Sequence, residues 1–237
     1  MSSSQHIVSS FDRDLEAIQA NIMRMGGLVE DAISKSTLAI DTRDLELARA
    51  VRDADKAIDK LEQHVNEEGA RILALRQPSA RDLRMVLSVF RIATNLERIG
   101  DYAKNISKRV EAIVGHLPLE MVSAVASMRR MARQVELMLK DALDAYIQQD
   151  VNLARDVRYR DRVVDQMYSA LFREYLTFMM EDQSHITPCM HLHFMAKNIE
   201  RMGDHVTSIA EQVIYLVTGE LPEDERPKED NTFHEVP

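Results

Sequence analysis

The sequence predicts an all-α protein made of two tandem, similar three-helix bundles, and three observations point to this fold. Only 7 glycines and 6 prolines interrupt the 237 residues, which are rich in helix formers such as Ala, Leu, Met and Glu. Apolar side chains recur three and four positions apart, as in Leu83, Val86, Leu87 and Phe90. Segments of the first half also recur, in the same order, in the second half.

Six long helices are expected. Their predicted ranges are 8–41, 44–75, 80–115, 119–148, 151–182 and 188–218. A helix of about 30 residues is about 45 Å long, so these helices should lie antiparallel in bundles. Pro78 ends the second helix because proline does not fit a helix interior, and Ser79 with Asp82 forms a start signal for the third.

The later breaks have similar causes. Gly115 and Pro118 bracket the gap between the third and fourth helices. Asp150 is expected to cap the fifth helix. Thr187 followed by Pro188 predicts a cap and a proline at the first position of the sixth helix.

Charge and composition exclude several classes of protein. The formal net charge of −9 argues against binding to the nucleic-acid backbone, which requires a basic face. The single cysteine, Cys189, cannot form an internal disulfide and fits a reducing compartment. The start of the sequence lacks a secretory pattern, and no apolar run approaches the ~18–20 residues that span a bilayer. A cytoplasmic protein without membrane insertion is therefore expected, and residues 219–237 are expected to form an acidic, mobile tail.

An internal duplication organises the chain. Residues 47–59 align with 153–165 at an offset of 106, with seven identities in thirteen positions. Residues 95–106 align with 198–209 at an offset of 103, with six identities in twelve. Because chance would give about one match per window, we predict two tandem domains, at 1–117 and 118–218.

The duplication also selects candidate site residues, since the same carboxylate pairs occur at matched places in both copies. Residues four apart lie on one face of a helix, and the second and third helices of each bundle should be neighbours. The first cluster comprises Asp55, Asp59, Glu97 and Asp101, and the second cluster comprises Asp161, Asp165, Glu200 and Asp204. Such oxygen ligands suit Mg, Mn or Ca, and carboxylate clusters also hold iron or zinc. The alternative is a solvent-facing acidic stripe neutralised by arginines such as Arg98 and Arg201.

Gly100 and Gly203 lie inside helical segments, between the glutamate and the aspartate of each copy. A glycine in a helix interior costs about 1 kcal/mol relative to alanine, so a close approach of another helix is expected at both positions.

Other candidate residues are weaker. His191 and His193 are expected on different surface faces, and Cys189 is expected to be a buried structural thiol rather than an activated one. His205 is not a ligand shared by both copies because its counterpart is Tyr102. The sequence contains neither a P-loop nor a Glu-x-x-His pair, and no residue is predicted to be a nucleophile or general base.

From about residue 8 to 218 the sequence resembles the PhoU family of phosphate-transport accessory regulators. The residues that carry this resemblance are Met25–Glu30, Arg76–Pro78, Asp82–Arg84, Leu96–Asp101, Met179–Asp182 and Ile199–Asp204. The resemblance implies paired three-helix bundles with a Glu-x-x-x-Asp motif that holds metal clusters in some members. This motif matches Glu97, Asp101, Glu200 and Asp204, and the companion acidic pairs are the four aspartates of the preceding helices.

The resemblance further implies a homodimeric negative regulator of the phosphate-starvation response that restrains phosphate uptake. Its implied partners are the ATPase subunit of a phosphate ABC importer (PstB-like) and a sensor histidine kinase (PhoR-like). The implied cofactor is Fe, Mn, Zn or Mg. Two alternatives are a metal-dependent enzyme acting on phosphate compounds through the clusters, and a metal-storage bundle, which the missing Glu-x-x-His pattern disfavours.

Overall fold

A computed structural model describes residues 2–76 and 79–222, and it confirms the all-α fold of two similar three-helix bundles. The six helices are α1 (Ser2–Thr42), α2 (Leu45–Arg76), α3 (Ala80–Ile113), α4 (Val122–Gln148), α5 (Val151–Glu181) and α6 (Ile186–Thr218). Short 3₁₀ turns at Leu119–Met121 and Gln183–His185 lead into α4 and α6. Pro78 and most of the predicted acidic tail, from residue 223, lie outside the described residues.

Two of the predicted helix starts are confirmed. The carboxylate of Asp150 accepts hydrogen bonds from the backbone N–H groups of Asn152 and Leu153, at 2.8 and 3.1 Å. Ser79 is the N-cap residue of α3, but its hydroxyl donates to the Asp82 carboxylate at 2.6 Å instead of accepting from the backbone. At the start of α3 the backbone carbonyl of Ser79 accepts from the N–H of Leu83 at 2.8 Å, while the Ser79 side chain bonds only to Asp82.

The predicted start of α6 is wrong by two residues. The Asp182 carboxylate accepts from the backbone N–H of Ser184 at 2.8 Å, and this contact begins a 3₁₀ turn that leads directly into Ile186. Thr187 is therefore inside the helix rather than its cap. Pro188 is tolerated at the third position because the first N–H groups of a helix have no intrahelical partner.

The two bundles pack against each other through antiparallel helices. Arg84, near the start of α3, lies beside the position of Gly219 at the end of α6. Arg109, near the end of α3, stacks over the ring of Phe194 near the start of α6, 4.4 Å from its centroid. α1 packs against α4 in the same way, whereas within the described residues α2 contacts only α1 and α3, and α5 contacts no helix of the first bundle.

Apolar side chains from all six helices form one continuous core that crosses both bundles. Its largest fully buried side chains include Tyr146 and Tyr175, together with many isoleucines. Because the bundles share this core, the outer helices α2 and α5 are held firmly against α3 and α6. No helix in the described part of the chain has the length and hydropathy of a membrane span.

Two duplicated carboxylate clusters

The first cluster lies where α2 packs against α3, and Gly100 makes this close packing possible. A Cβ atom at Gly100 would lie 2.9 Å from Ile58 Cδ1 and 3.7 Å from Asp55 Oδ1. Asp55 is consequently covered by α3, with only 3% of its surface exposed. The expected close approach of helices at this glycine is confirmed.

Lys104 provides the main positive charge in the first cluster. Its ammonium donates to the Asp55 carboxylate and lies 3.4 Å from Asp101 Oδ1. The hydrogen bond with Asp55 raises the pKa of Lys104 above its ordinary value, so the lysine remains charged at neutral pH. One ammonium therefore bridges α2 and α3 at the position where a bound cation was predicted.

The remaining acids of the first cluster keep their mutual repulsion. Asp59 is exposed, but its carboxylate loses part of its water beside α3, and this loss, followed by the negative charge of Asp55, raises the pKa of Asp59. Burial and the negative charge of Asp101 likewise raise the pKa of Glu97. Arg98 opposes this effect, since its guanidinium lies 3.5 Å from the Glu97 carboxylate and 3.8 Å from that of Asp101. The predicted arginine neutralisation is thus partly present in the first copy.

The second cluster, between α5 and α6, has the same plan but lies deeper. A Cβ atom at Gly203 would lie 2.9 Å from Asp161 Oδ1, so the glycine makes room for a carboxylate. Asp161, Asp165 and Glu200 are all buried, whereas Asp59 of the first cluster is exposed. The α5 helix therefore holds its acids closer to the protein interior than α2 does.

Glu200 is the most unusual group of the second cluster. Its Oε1 accepts a hydrogen bond from Lys197 Nζ at 2.9 Å, but its buried Oε2 has no hydrogen-bond partner among the described residues. Burial raises the pKa of Glu200, and the negative charges of Asp204 and Asp165 raise it further against the opposing effect of Lys197. The structure thus brings Glu200, Asp204 and Asp165 into one electrostatic neighbourhood.

In the described part of the chain, no three His, Cys, Asp or Glu side chains are placed as a group that holds a metal ion. The facing acidic pairs lie near one another, as expected, but each cluster also contains a lysine ammonium. Metal binding by the eight acids therefore stays a prediction.

The other candidate residues are mostly structural. Cys189 is buried and lies 4.0 Å from the sulfur of Met121, and burial raises the pKa of its thiol to about 11, as befits an unreactive thiol. His193, expected at the surface, is half-buried, and its ring packs against Tyr168 and Phe172, with 5.9 and 5.4 Å between centroids.

His205 belongs to the contact between the two bundles. Its Nδ1 atom lies 2.7 Å from Asn95 Oδ1 of α3, and its ring lies 5.6 Å from the ring of its counterpart Tyr102. The equivalent positions of the two copies therefore meet where α3 and α6 pack together.

Sequence comparison of the two copies missed Lys104 and Lys197. The spacing rule for ion pairs would have found them, since Lys104 follows Asp101 by three residues and Lys197 precedes Glu200 by three.

Two stacked three-helix bundles with a glycine-spaced acidic cluster in each define a duplicated helical protein of the PhoU type. A model of the PhoU domain matches the sequence twice, at residues 22–110 and 128–213. The chain belongs to the PhoU family.

Relatives match over nearly the full length of this chain. The phosphate-specific transport system accessory protein PhoU homolog of Rhizobium meliloti is 43% identical over 228 residues, which cover 96% of this chain and 95% of the relative. The crystal structure of PhoU from Pseudomonas aeruginosa is 37% identical and superposes with a TM-score of 0.84, covering 89% of this chain and all of that one. The phosphate transport system regulatory protein PhoU from Streptococcus pneumoniae, at 31% identity, has a TM-score of 0.81 and covers 90% of this chain and 99% of its own.

Proposed function

We propose that this protein is a non-enzymatic regulatory accessory protein of phosphate transport. The observation that supports this role is the near full-length similarity to phosphate-transport accessory proteins, in sequence and in fold. In this role the chain is a cytoplasmic homodimer that binds the ATPase subunit of a phosphate ABC importer and a sensor histidine kinase. It restrains phosphate uptake and keeps the phosphate-starvation genes off while phosphate is plentiful.

Deletion of the gene tests the regulatory role. A strain without this protein should express alkaline phosphatase in phosphate-rich medium, because the restraint on the starvation response is lost. Reintroduction of the intact gene should restore repression and serves as the control. Normal repression in the deletion strain would contradict the proposed role.

Co-purification tests the adaptor role separately. The tagged full chain should retain both the importer ATPase and the kinase, in proportions that differ between high and low phosphate. Retention of neither component would overturn the adaptor role.

Purified protein with Mn or Mg should not hydrolyse phosphomonoesters, diesters or nucleotides above background, whereas an enzyme would turn over about 1–10³ times per second. Hydrolysis that disappears in Asp101→Asn or in Asp204→Asn would replace the adaptor with the metal-dependent enzyme.

Cation binding, as part of this proposal, is assigned to the second cluster. Its acids are more buried than those of the first, and the Glu200 Oε2 oxygen lacks a donor within the described residues, as a ligand atom awaiting a cation would. In the first cluster the ammonium of Lys104 already contacts Asp55 and Asp101. Hard oxygen donors of this kind suit Mg, Mn or Fe.

The duplication offers a matched pair of variants for this assignment. Mn should stabilise the intact protein, by about 2.7 kcal/mol at a hundredfold excess over the dissociation constant of one site. Asp204→Asn should abolish that gain, whereas Asp101→Asn, the equivalent change in the first copy, should preserve it. Thermal melts with chelator and with Mn measure both effects. Equal melting points of the intact protein with and without metal would refute cation binding.

A further inference from the structure

A basic groove runs between α2 and α3, next to the first cluster. Five cationic side chains and two carboxylates line it, in a chain whose formal net charge is −9. The lining residues are Arg49, Arg52, Asp53, Lys56, Lys104, Lys108 and Glu111. The groove encloses about 440 Å³, within the range of ~300–1,000 Å³ typical of small-ligand sites. An accumulation of positive charge in an acidic protein indicates an anionic ligand.

Glu111 arranges the two arginines of the groove. Its Oε2 accepts from Arg52 Nη1 at 2.7 Å, and its Oε1 lies 3.9 Å from Arg49 Nε. One carboxylate therefore holds two guanidiniums side by side, and Glu46 accepts a further hydrogen bond from Arg49 Nη1 at 2.6 Å. The Arg49 side chain is 57% exposed and can reach a ligand from solvent. Paired guanidinium forks match the oxygen geometry of phosphate groups.

The second copy shows that this basic character is not a general property of the fold. Arg155 and Arg158 are the counterparts of Arg49 and Arg52, and they line a similar groove of about 450 Å³. The position of Lys108, however, is occupied there by Glu211, which accepts a hydrogen bond from Arg158 Nε at 3.3 Å. Each copy thus pairs its second arginine with one acid, Glu111 in the first and Glu211 in the second, but only the first copy keeps a lysine at the position of Lys108.

We propose that the groove between α2 and α3 binds a chain of linked phosphates, either an inorganic oligophosphate or the triphosphate of a nucleotide. Arg49 and Lys56 are about 10 Å apart along α2, so a single orthophosphate reaches only part of the cationic set. The lining residues are all charged, and none is an aromatic side chain on which a base would stack. The groove therefore recognises the phosphates themselves. This site goes beyond the regulatory role proposed above and does not depend on either partner.

Calorimetric titration of the full chain with tripolyphosphate, ATP and orthophosphate tests the site. Tripolyphosphate should bind once per chain, and orthophosphate should bind at least tenfold more weakly. Affinity should fall between 50 and 200 mM salt, because charges dominate the contact. Tighter binding of ATP than of tripolyphosphate would identify a nucleotide as the source of the phosphates. Tighter binding of tripolyphosphate would identify an inorganic chain.

Two double variants with the same change in net charge distinguish binding in the groove from a general effect of the protein's charge. Arg49→Gln with Lys108→Gln should weaken tripolyphosphate binding at least tenfold, whereas Arg130→Gln with Arg155→Gln should change it less than twofold. All four side chains are exposed, so both variants should melt near the original protein. If the groove variant fails to fold, Lys56→Gln gives the same test with one exposed lysine. Equal weakening by both variants, or no saturable binding of tripolyphosphate, would overturn the proposal.

Discussion

Replacement of Lys104 by methionine is the sharpest test of how the first cluster is held together. The change keeps the length and packing of the side chain but removes the ammonium that bridges Asp55 and Asp101. Asp55, with 3% of its surface exposed, would then be a buried carboxylate that has lost its main counter-charge.

The magnitude follows from burial. Removal of one partner of a fully buried ion pair costs about 3–5 kcal/mol, whereas an exposed pair contributes at most about 1 kcal/mol. Because Asp55 is buried but the Lys104 side chain is 29% exposed, water can partly replace the ammonium. We expect Lys104→Met to lower the free energy of unfolding by about 2–3 kcal/mol, between these two limits.

Urea unfolding at pH 7 in chelator measures this loss, and a double-mutant cycle assigns it. Asp55→Asn combined with Lys104→Met should recover most of the stability, because no unpaired charge remains. Lys108→Met, on the exposed side of the same helix, is the control and should cost less than about 0.5 kcal/mol. A loss from Lys104→Met as small as that of the control, or a coupling energy near zero, would refute the bridging role.

Three further predictions use denaturant unfolding in chelator as the common measurement. Gly27→Ala places a methyl group in open space and should raise the free energy of unfolding by about 1 kcal/mol. Gly203→Ala places the methyl group against Asp161 and should lower the free energy of unfolding by about 1–3 kcal/mol. Equal effects of the two changes would contradict the close packing at Gly203. Asp150→Ala removes two hydrogen bonds to the start of α5 and should lower the free energy of unfolding by about 1 kcal/mol. Ser79→Ala should cost clearly less, because the Ser79 side chain accepts no hydrogen bond from the backbone of α3. The raised pKa of Glu200 means that the folded protein binds this proton more tightly than the unfolded chain, so its ionisation destabilises the fold above that pKa. Glu200→Gln should therefore raise the free energy of unfolding at pH 7, and its advantage over the original protein should disappear as the pH falls toward 4. An advantage that does not change with pH would show that ionisation of Glu200 is not its cause.

Much of the fold was accessible from the sequence because its signals are local or repeated. Proline and glycine punctuation, helix-forming composition and the duplication together predicted six helices in two bundles, and the structure confirms this architecture. The role of Gly100 was also predictable, since a costly glycine inside a helix requires a close neighbour. The start of α6 was not, because the competing turn at Asp182 depends on one side chain contacting one backbone N–H.

The charges around the clusters were harder to predict for a specific reason. Comparison of the two copies retains only matching positions, and the two lysines do not match. Thr207 occupies the place of Lys104 in the second copy, and Thr94 occupies the place of Lys197 in the first. The lysine near each cluster therefore lies on a different turn of the helix in the two copies. A comparison that searches for identical residues in the two copies cannot detect lysines that lie at non-equivalent positions.

The packing of the bundles through α1 with α4 and α3 with α6 has a consequence for binding. Because these four helices form the centre of the molecule, α2 and α5 are left on opposite flanks, each accessible without moving the other. A component that bound the α2 flank would therefore leave the α5 flank accessible to a second component.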